Sequence, residues 1–177
     1  MCDGYTATLR LARDGDIETL VKWDCDPELA WLMGYGHRSP EESRSRMCRL
    51  MSDRNSVVMC IAGPDGHVVG DIVLTEIAWR SGEAELTVRI GDKAHWGKGM
   101  GQQAVTQMLD IAFGRLGLAR VYLRVCADNS RAINCYLKCG FRREGAIRRR
   151  LVEGQEMRTV VLMTVSRCST EASGVAS

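Results

Sequence analysis

Two periods of apolar residues run along this chain, and their order sets the expected elements. A step of two marks strands, and steps of three and four mark helices. "YTATLRLA" (5–12) alternates and reads as a strand. "GDIETLVKWDCDPELAWLM" (15–33) reads as helix, with Asp16 as N-cap and Pro27 as an interruption. "SPEESRSRMCRLMSD" (39–53) offers Ser39 as N-cap, Pro40 at the first helical position and acidic residues in the first turn. "SVVMCIAG" (56–63) and "VVGDIVLTEIAW" (68–79) are β-rich runs joined by the turn signal "PDGH", which predicts an antiparallel pair. "GEAELTVRIG" (82–91) sets Ala84, Leu86, Val88 and Ile90 against Glu83, Glu85, Thr87 and Arg89, a strand with two distinct faces.

The second half carries the strongest helical period. Ala104, Val105, Met108, Leu109, Ala112, Phe113 and Leu116 form one apolar stripe, and Gly117 stops it. "ARVYLRVCA" (119–127) is a strand. "NSRAINCYLKCG" (129–140) is a short helix with Asn129 as N-cap and Gly140 after its end. "FRREGAIRRRL" and "QEMRTVVLMTV" predict a hairpin around Glu153-Gly154. No repeat and no linker divides the chain, so residues 1–166 are expected as a single domain. The small, polar tail 167–177 is expected to be disordered.

Composition narrows the partners. The 177 residues are 45% hydrophobic and 26% charged, with a net charge of +2. That balance fits a globular chain and gives no reason to expect nucleic acid or an anionic membrane as partner. No run approaches the roughly 18 apolar residues of a membrane helix, and the first residues hold no signal-peptide core. Eight cysteines, at 2, 25, 48, 60, 126, 135, 139 and 168, lack zinc spacing, since Cys135 and Cys139 have no second half-site. Reduced thiols, no metal and a cytoplasmic location are expected.

"HWGKGMGQQAV" (95–105) places Gly97, Gly99 and Gly101 at alternate positions directly before the long helix. Each glycine inside an element costs about 0.5–1 kcal/mol relative to alanine, so bare backbone must serve a purpose. Strand, glycine loop, helix and strand in that order put free helix N–H groups at a strand's end, which is a ready anion site. The spacing fits neither the dinucleotide fingerprint G-x-G-x-x-G nor a P-loop, which would need G-K-[ST]. The anion therefore belongs to another kind of ligand.

"NSRAINCYLKCGF" (129–141) reads N-x-x-A-x-x-x-Y-x-K-x-G-F. Together with W-G-K-G-M-G and the element order over about residues 5–165, it resembles the GNAT superfamily of acetyl-CoA-dependent N-acetyltransferases. The first helices, the "AEL" strand and the loop look most like the branch of ribosomal-protein N-terminal acetyltransferases. The resemblance implies an α+β fold, with a mixed, mostly antiparallel seven-stranded sheet flanked by helices. It implies a splay between strands 84–90 and 119–126. The implied activity moves the acetyl group of acetyl-CoA to a protein N-terminus or small amine by direct attack. An antibiotic- or polyamine-modifying enzyme and a CoA-binding sensor without turnover are the alternatives, and a homodimer is allowed.

The resemblance also implies roles. Trp96, Gly97, Lys98, Gly99, Met100 and Gly101 stand on the family's pyrophosphate loop, with Gln102 following. Trp96 departs from its Q/R first position. Val88 and Ile90 would pair with the pantetheine arm, and a backbone N–H near Val88 would hold the oxyanion. Asn129 would hold the pantetheine side. Tyr136 would protonate the departing thiolate. Glu85 ranks first as general base and Glu76 second, with Glu83, His37 and His95 behind. Trp31, Tyr35 and Trp79 are candidates for the acceptor end.

Overall fold

The computed structural model describes residues 6–152 and 155–167. The turn expected at Glu153-Gly154, the tail 168–177, and Cys2 and Cys168 lie outside the described residues.

The alternating segments form the strands they predict: β1 Thr8–Leu11, β2 Val57–Ala62, β3 Val68–Ala78, β4 Glu83–Ile90, β5 Arg120–Cys126, β6 Arg142–Arg150 and β7 Met157–Ser166. They make one sheet in the order β1-β2-β3-β4-β5-β7-β6. Every neighbouring pair is antiparallel except β4 with β5, which is parallel. The helices are α1 Ile17–Asp24, α2 Pro27–Met33, α3 Pro40–Ser52, α4 Met100–Asp110 and α5 Ser130–Lys138. Pro27 starts α2, where its missing N–H costs nothing, and Asp26 caps it. Ser39 and Glu42 close a capping box at α3.

Two apolar clusters hold helices to opposite faces of the sheet. In the larger, Met100, Ala104, Val105 and Met108 of α4 bury against Leu74, Leu86, Val121 and Leu123. In the smaller, Leu20 of α1 and Met47 of α3 cover Val58, Cys60 and Val73. Full burial of such side chains is worth about 1.5–3 kcal/mol each. The stripe predicted to run to Leu116 as one helix widens after Asp110, where Leu116 N–H donates to Ile111 O, five residues back.

Two local expectations change. Asp16 stands at the N-cap of α1, but its side chain accepts no cap hydrogen bond there. Both its oxygens bind the Arg10 guanidinium at 2.7 Å, and one also accepts Arg13 N–H at 2.8 Å. Arg89 lies on the polar face of β4 by alternation, yet it is only 5% exposed. The helices α1 and α3 pack together over this face of the sheet, and carboxylates neutralise the covered guanidinium.

The rungs between β4 and β5 are few. Glu83 pairs with Arg120, Ala84 with Val121 and Glu85 with Tyr122. Beyond Glu85 the two strands part, and from Leu86 to Ile90 that side of β4 has no strand partner among the described residues.

Candidate active site

The gap between β4 and β5 opens into a cavity of about 340 Å³. Its walls are Val88 and Ile90 of β4, Leu29, Leu32 and Met33 of α2, the segment from His95 into α4, and the start and inner face of α5. Gly99 immediately precedes α4 with φ of 77°, and no side chain caps the helix. Gly97 shares this left-handed conformation with φ of 75°, which favours glycine at both positions. A Cβ on either would meet no atom within 4 Å, so the backbone here borders open space. An uncapped helix N-terminus beside bare backbone suits an anion.

The sequence-predicted residues divide. Val88, Ile90, Trp96, Gly97, Gly99, Met100, Gly101, Gln102, Asn129 and Tyr136 all line the cavity. Lys98 is exposed and lies outside the lining. Asn129 ties α5 to α2, because its Oδ1 accepts Ala132 N–H at 3.2 Å and its Nδ2 donates to Leu32 O at 3.4 Å. Tyr136 is buried with its ring 5.7 Å from that of Phe141. Burial pushes its phenol well above the ordinary value, so the hydroxyl keeps its proton at neutral pH. His95 lines the cavity with Nδ1 2.9 Å from Asp92 Oδ2, while His37 is exposed.

The three glutamates ranked for base duty sit outside the lining, Glu83 and Glu85 on the β4–β5 rungs before the strands part and Glu76 on β3. Both oxygens of Glu85 bind Arg124, at 2.8 and 2.6 Å. Glu76 stands at a register shift of β3 with φ of 53°, among the described residues the one non-glycine with positive φ. It accepts the Tyr122 hydroxyl at 2.8 Å and lies 3.9 Å from Arg124. Burial, with Glu76 alongside, pushes the Tyr122 phenol up to about 12. Glu83 pairs with Arg120, which also binds Glu144.

None of the aromatic residues expected at the acceptor end lines the cavity, and each is held by its own partner. Trp31 lies under Arg158, 4.0 Å from guanidinium to ring, and Trp79 donates to Asn55. Tyr35 donates to Asp24 at 2.9 Å and accepts from Arg89. Asp24 also takes Ser43, Arg38 and Arg89, so one carboxylate joins α1, the segment before α3, α3 itself and β4. Burial raises and the nearby guanidiniums lower its pKa, with the lowering dominant.

Several cavity residues escaped the sequence reading. Arg131 and Cys135 fall on unassigned positions of the N-x-x-A-x-x-x-Y-x-K-x-G-F motif, Lys138 is its lysine with no role given to it, and all three line the cavity. A period of three or four from Asn129 was the signal that would have found Cys135 and Lys138.

A sheet split between two parallel strands, with an uncapped glycine-led helix at the mouth of the split, defines the fold of an acyl-CoA-dependent transferase. The comparisons agree. The acetyltransferase (GNAT) domain matches residues 7–142, and the chain belongs to that family. It is an acetyl-CoA-dependent N-acetyltransferase, with acetyl-CoA as co-substrate. It is 32% identical over 143 residues to spermidine N(1)-acetyltransferase of Escherichia coli K12, covering 77% of this chain and 74% of that one. It is 28% identical over 142 residues to the Vibrio cholerae spermidine N(1)-acetyltransferase, covering 78% and 80%. The crystal structure of the Vibrio cholerae spermidine N-acetyltransferase in complex with CoA and spermine superposes with a TM-score of 0.83 at 23% identity, over 90% of this chain and 95% of that one. These relatives correct the expected branch, which was that of the ribosomal-protein enzymes. Among the described residues no helix is long and apolar enough to cross a membrane, and no cluster of three metal-ligating side chains occurs.

Proposed function

We propose that this acetyltransferase acts on a primary amine of a polyamine. One observation carries the reading. On and beside the β4–β5 rungs, four carboxylates, Glu83 and Glu85 of β4, Glu76 of β3 and Glu144 of β6, share two guanidiniums of β5, Arg120 and Arg124, among the described ion pairs. Each arginine therefore leaves one negative charge uncompensated. Glu83 and Glu85 stand two residues apart on one face of the strand, roughly 7 Å. A chain of ammonium groups on short alkyl spacers matches such a row. The relatives named as spermidine N(1)-acetyltransferases support the same class.

The chemistry follows from the groups present. An alkyl amine with a lysine-like pKa near 10.4 is neutral about once in 2,500 molecules at pH 7. Glu76 is the better placed base, since Glu85 has both oxygens on Arg124 while Glu76 takes one hydroxyl and stays 63% exposed. Its strained backbone is of the kind that gathers at working sites. The unpartnered edge of β4 at Val88 offers a backbone N–H to the tetrahedral oxyanion. Tyr136 carries the proton that the leaving thiolate takes up. Gly97 to Gln102 hold the pyrophosphate. The same reading puts the enzyme in the cytoplasm. It also makes a homo-oligomer reasonable, as the Vibrio cholerae relative has been solved as a dodecamer.

The test is acetyl-CoA turnover against spermidine, spermine, a monoamine of similar length and N-terminal peptides. Spermidine or spermine should exceed the monoamine in kcat/KM by at least about tenfold, with the advantage shrinking as salt screens the carboxylates. A peptide preferred over every polyamine would sink the assignment.

A further inference from the structure

The cavity meets a doubly anionic linkage with one helix end and bare glycine backbone, and it also presents a cation that no sequence pattern assigned. Arg131, in the first turn of α5, lines the cavity and lays its guanidinium 3.9 Å from the ring centroid of Trp96. The indole is itself fixed, because Trp96 Nε1 donates to Ile90 O at 2.7 Å. Trp96 thus links the last residue of β4, the glycine loop and α5. No carboxylate neutralises Arg131 among the described ion pairs. Lys93, a second cation near that ring at 6.0 Å, is already held by Asp26 and Glu28 at 3.0 and 2.7 Å.

We infer that Arg131, laid on the indole of Trp96, is a cation this chain brings to the phosphates of its acyl carrier. A planar guanidinium stacks on an aromatic face and still presents its N–H edge in the ring plane, which an ammonium cannot do. The stack holds the fork in place before the anion arrives, so less rotamer freedom is lost on binding. Trp96 is a positioning residue in this arrangement, and Arg131 is the contact. The inference rests on CoA being the carrier and is independent of the acceptor amine.

Calorimetry with CoA, pantetheine and 3′-dephospho-CoA separates the possibilities without turnover or an acceptor. Arg131→Met should weaken CoA binding by about 10- to 100-fold, the range for a lost charge-assisted hydrogen bond. Arg131→Lys should recover only part of the loss. Pantetheine, which shares the arm and lacks the phosphates, should show no such penalty. With 3′-dephospho-CoA, a persisting penalty places the contact on the pyrophosphate, and a vanished one places it on the 3′-phosphate. Trp96→Leu should weaken CoA binding in the wild type and add little in the Arg131→Met background. The inference is overturned if Arg131→Met binds CoA as the wild type does, if pantetheine suffers equally, or if the Trp96 and Arg131 losses simply multiply. Circular dichroism and melting of each variant identify a folding defect, and Arg131→Lys keeps the question answerable should Arg131→Met fail to fold.

Discussion

Tyr136 and Glu76 are proposed to carry different halves of one proton balance. In the proposed mechanism Tyr136 gives a proton to the thiolate, and burial keeps that proton on the phenol at neutral pH. A thiolate is already a fair leaving group, so the phenol assists departure rather than enabling it. Tyr136→Phe should lower kcat at least about tenfold while leaving KM for acetyl-CoA nearly unchanged, the pattern of an interaction made only in the transition state. Steady-state kinetics on a variant with a native melting curve decide this, and a wild-type kcat would leave Tyr136 a packing residue beside Phe141. Glu76 is proposed to act on the amine instead. Glu76→Gln should cost most at neutral pH and least at high pH, where the amine loses its proton without help. A pH profile of kcat/KM with the same proportional loss throughout would remove Glu76 as base.

At the scale of elements, the alternation in 82–91 told which residues share a face, and the structure keeps that partition. It did not tell which face is covered where. Arg89 is buried because Asp71, 18 positions away, and Asp24, 65 positions away, meet it under α1 and α3. No local pattern contains that. Glu85 was equally opaque, since its partner Arg124 lies 39 residues on. Arg131 escaped because its value depends on a stack across two elements. The glycine loop, by contrast, was legible, because positive φ at Gly97 and Gly99 leaves a mark in residue type. Removing the buried cation is the severest single change expected in this sheet. Arg89→Met strands Asp71 and takes one of three guanidiniums from Asp24, and breaking a buried pair from one side typically costs about 3–5 kcal/mol. Chemical denaturation should show a loss of that order. A loss below about 1 kcal/mol would mean that water reaches the site.

Across the whole molecule, acid stability depends on carboxylates held in their charged form. The Arg10 guanidinium, with help from Arg13 N–H and against some desolvation, draws Asp16 down to about 2. Its folded pKa lies below its unfolded value near 3.9, so the contribution is fully present above about pH 4 and fades as pH falls through about 2. Arg10→Met should therefore be less stable than the wild type by a constant margin between about pH 5 and 8, narrowing below about pH 4. Urea midpoints across that range measure it, and a margin unchanged at pH 3 would show that Arg10 stabilises by packing alone. Most of the seven-stranded order followed from periodicity and motif together. The polyamine-type relatives, and not the ribosomal-protein branch, came only from comparison, because loop and helix motifs report the carrier and say little of the acceptor.

The parting of β4 and β5 has a thermodynamic side. From Leu86 to Ile90 one edge of a central strand has no rung to share. A pantetheine arm lying along that edge would bind only the folded chain, and every such ligand adds to folding stability by mass action. The metabolic state of the cell would then enter the protein's own half-life. With acetyl-CoA and CoA plentiful, local opening around the gap would be suppressed and proteases would find fewer open molecules. With the pool low, the same chain would turn over faster with no signal other than the concentration of its own substrate.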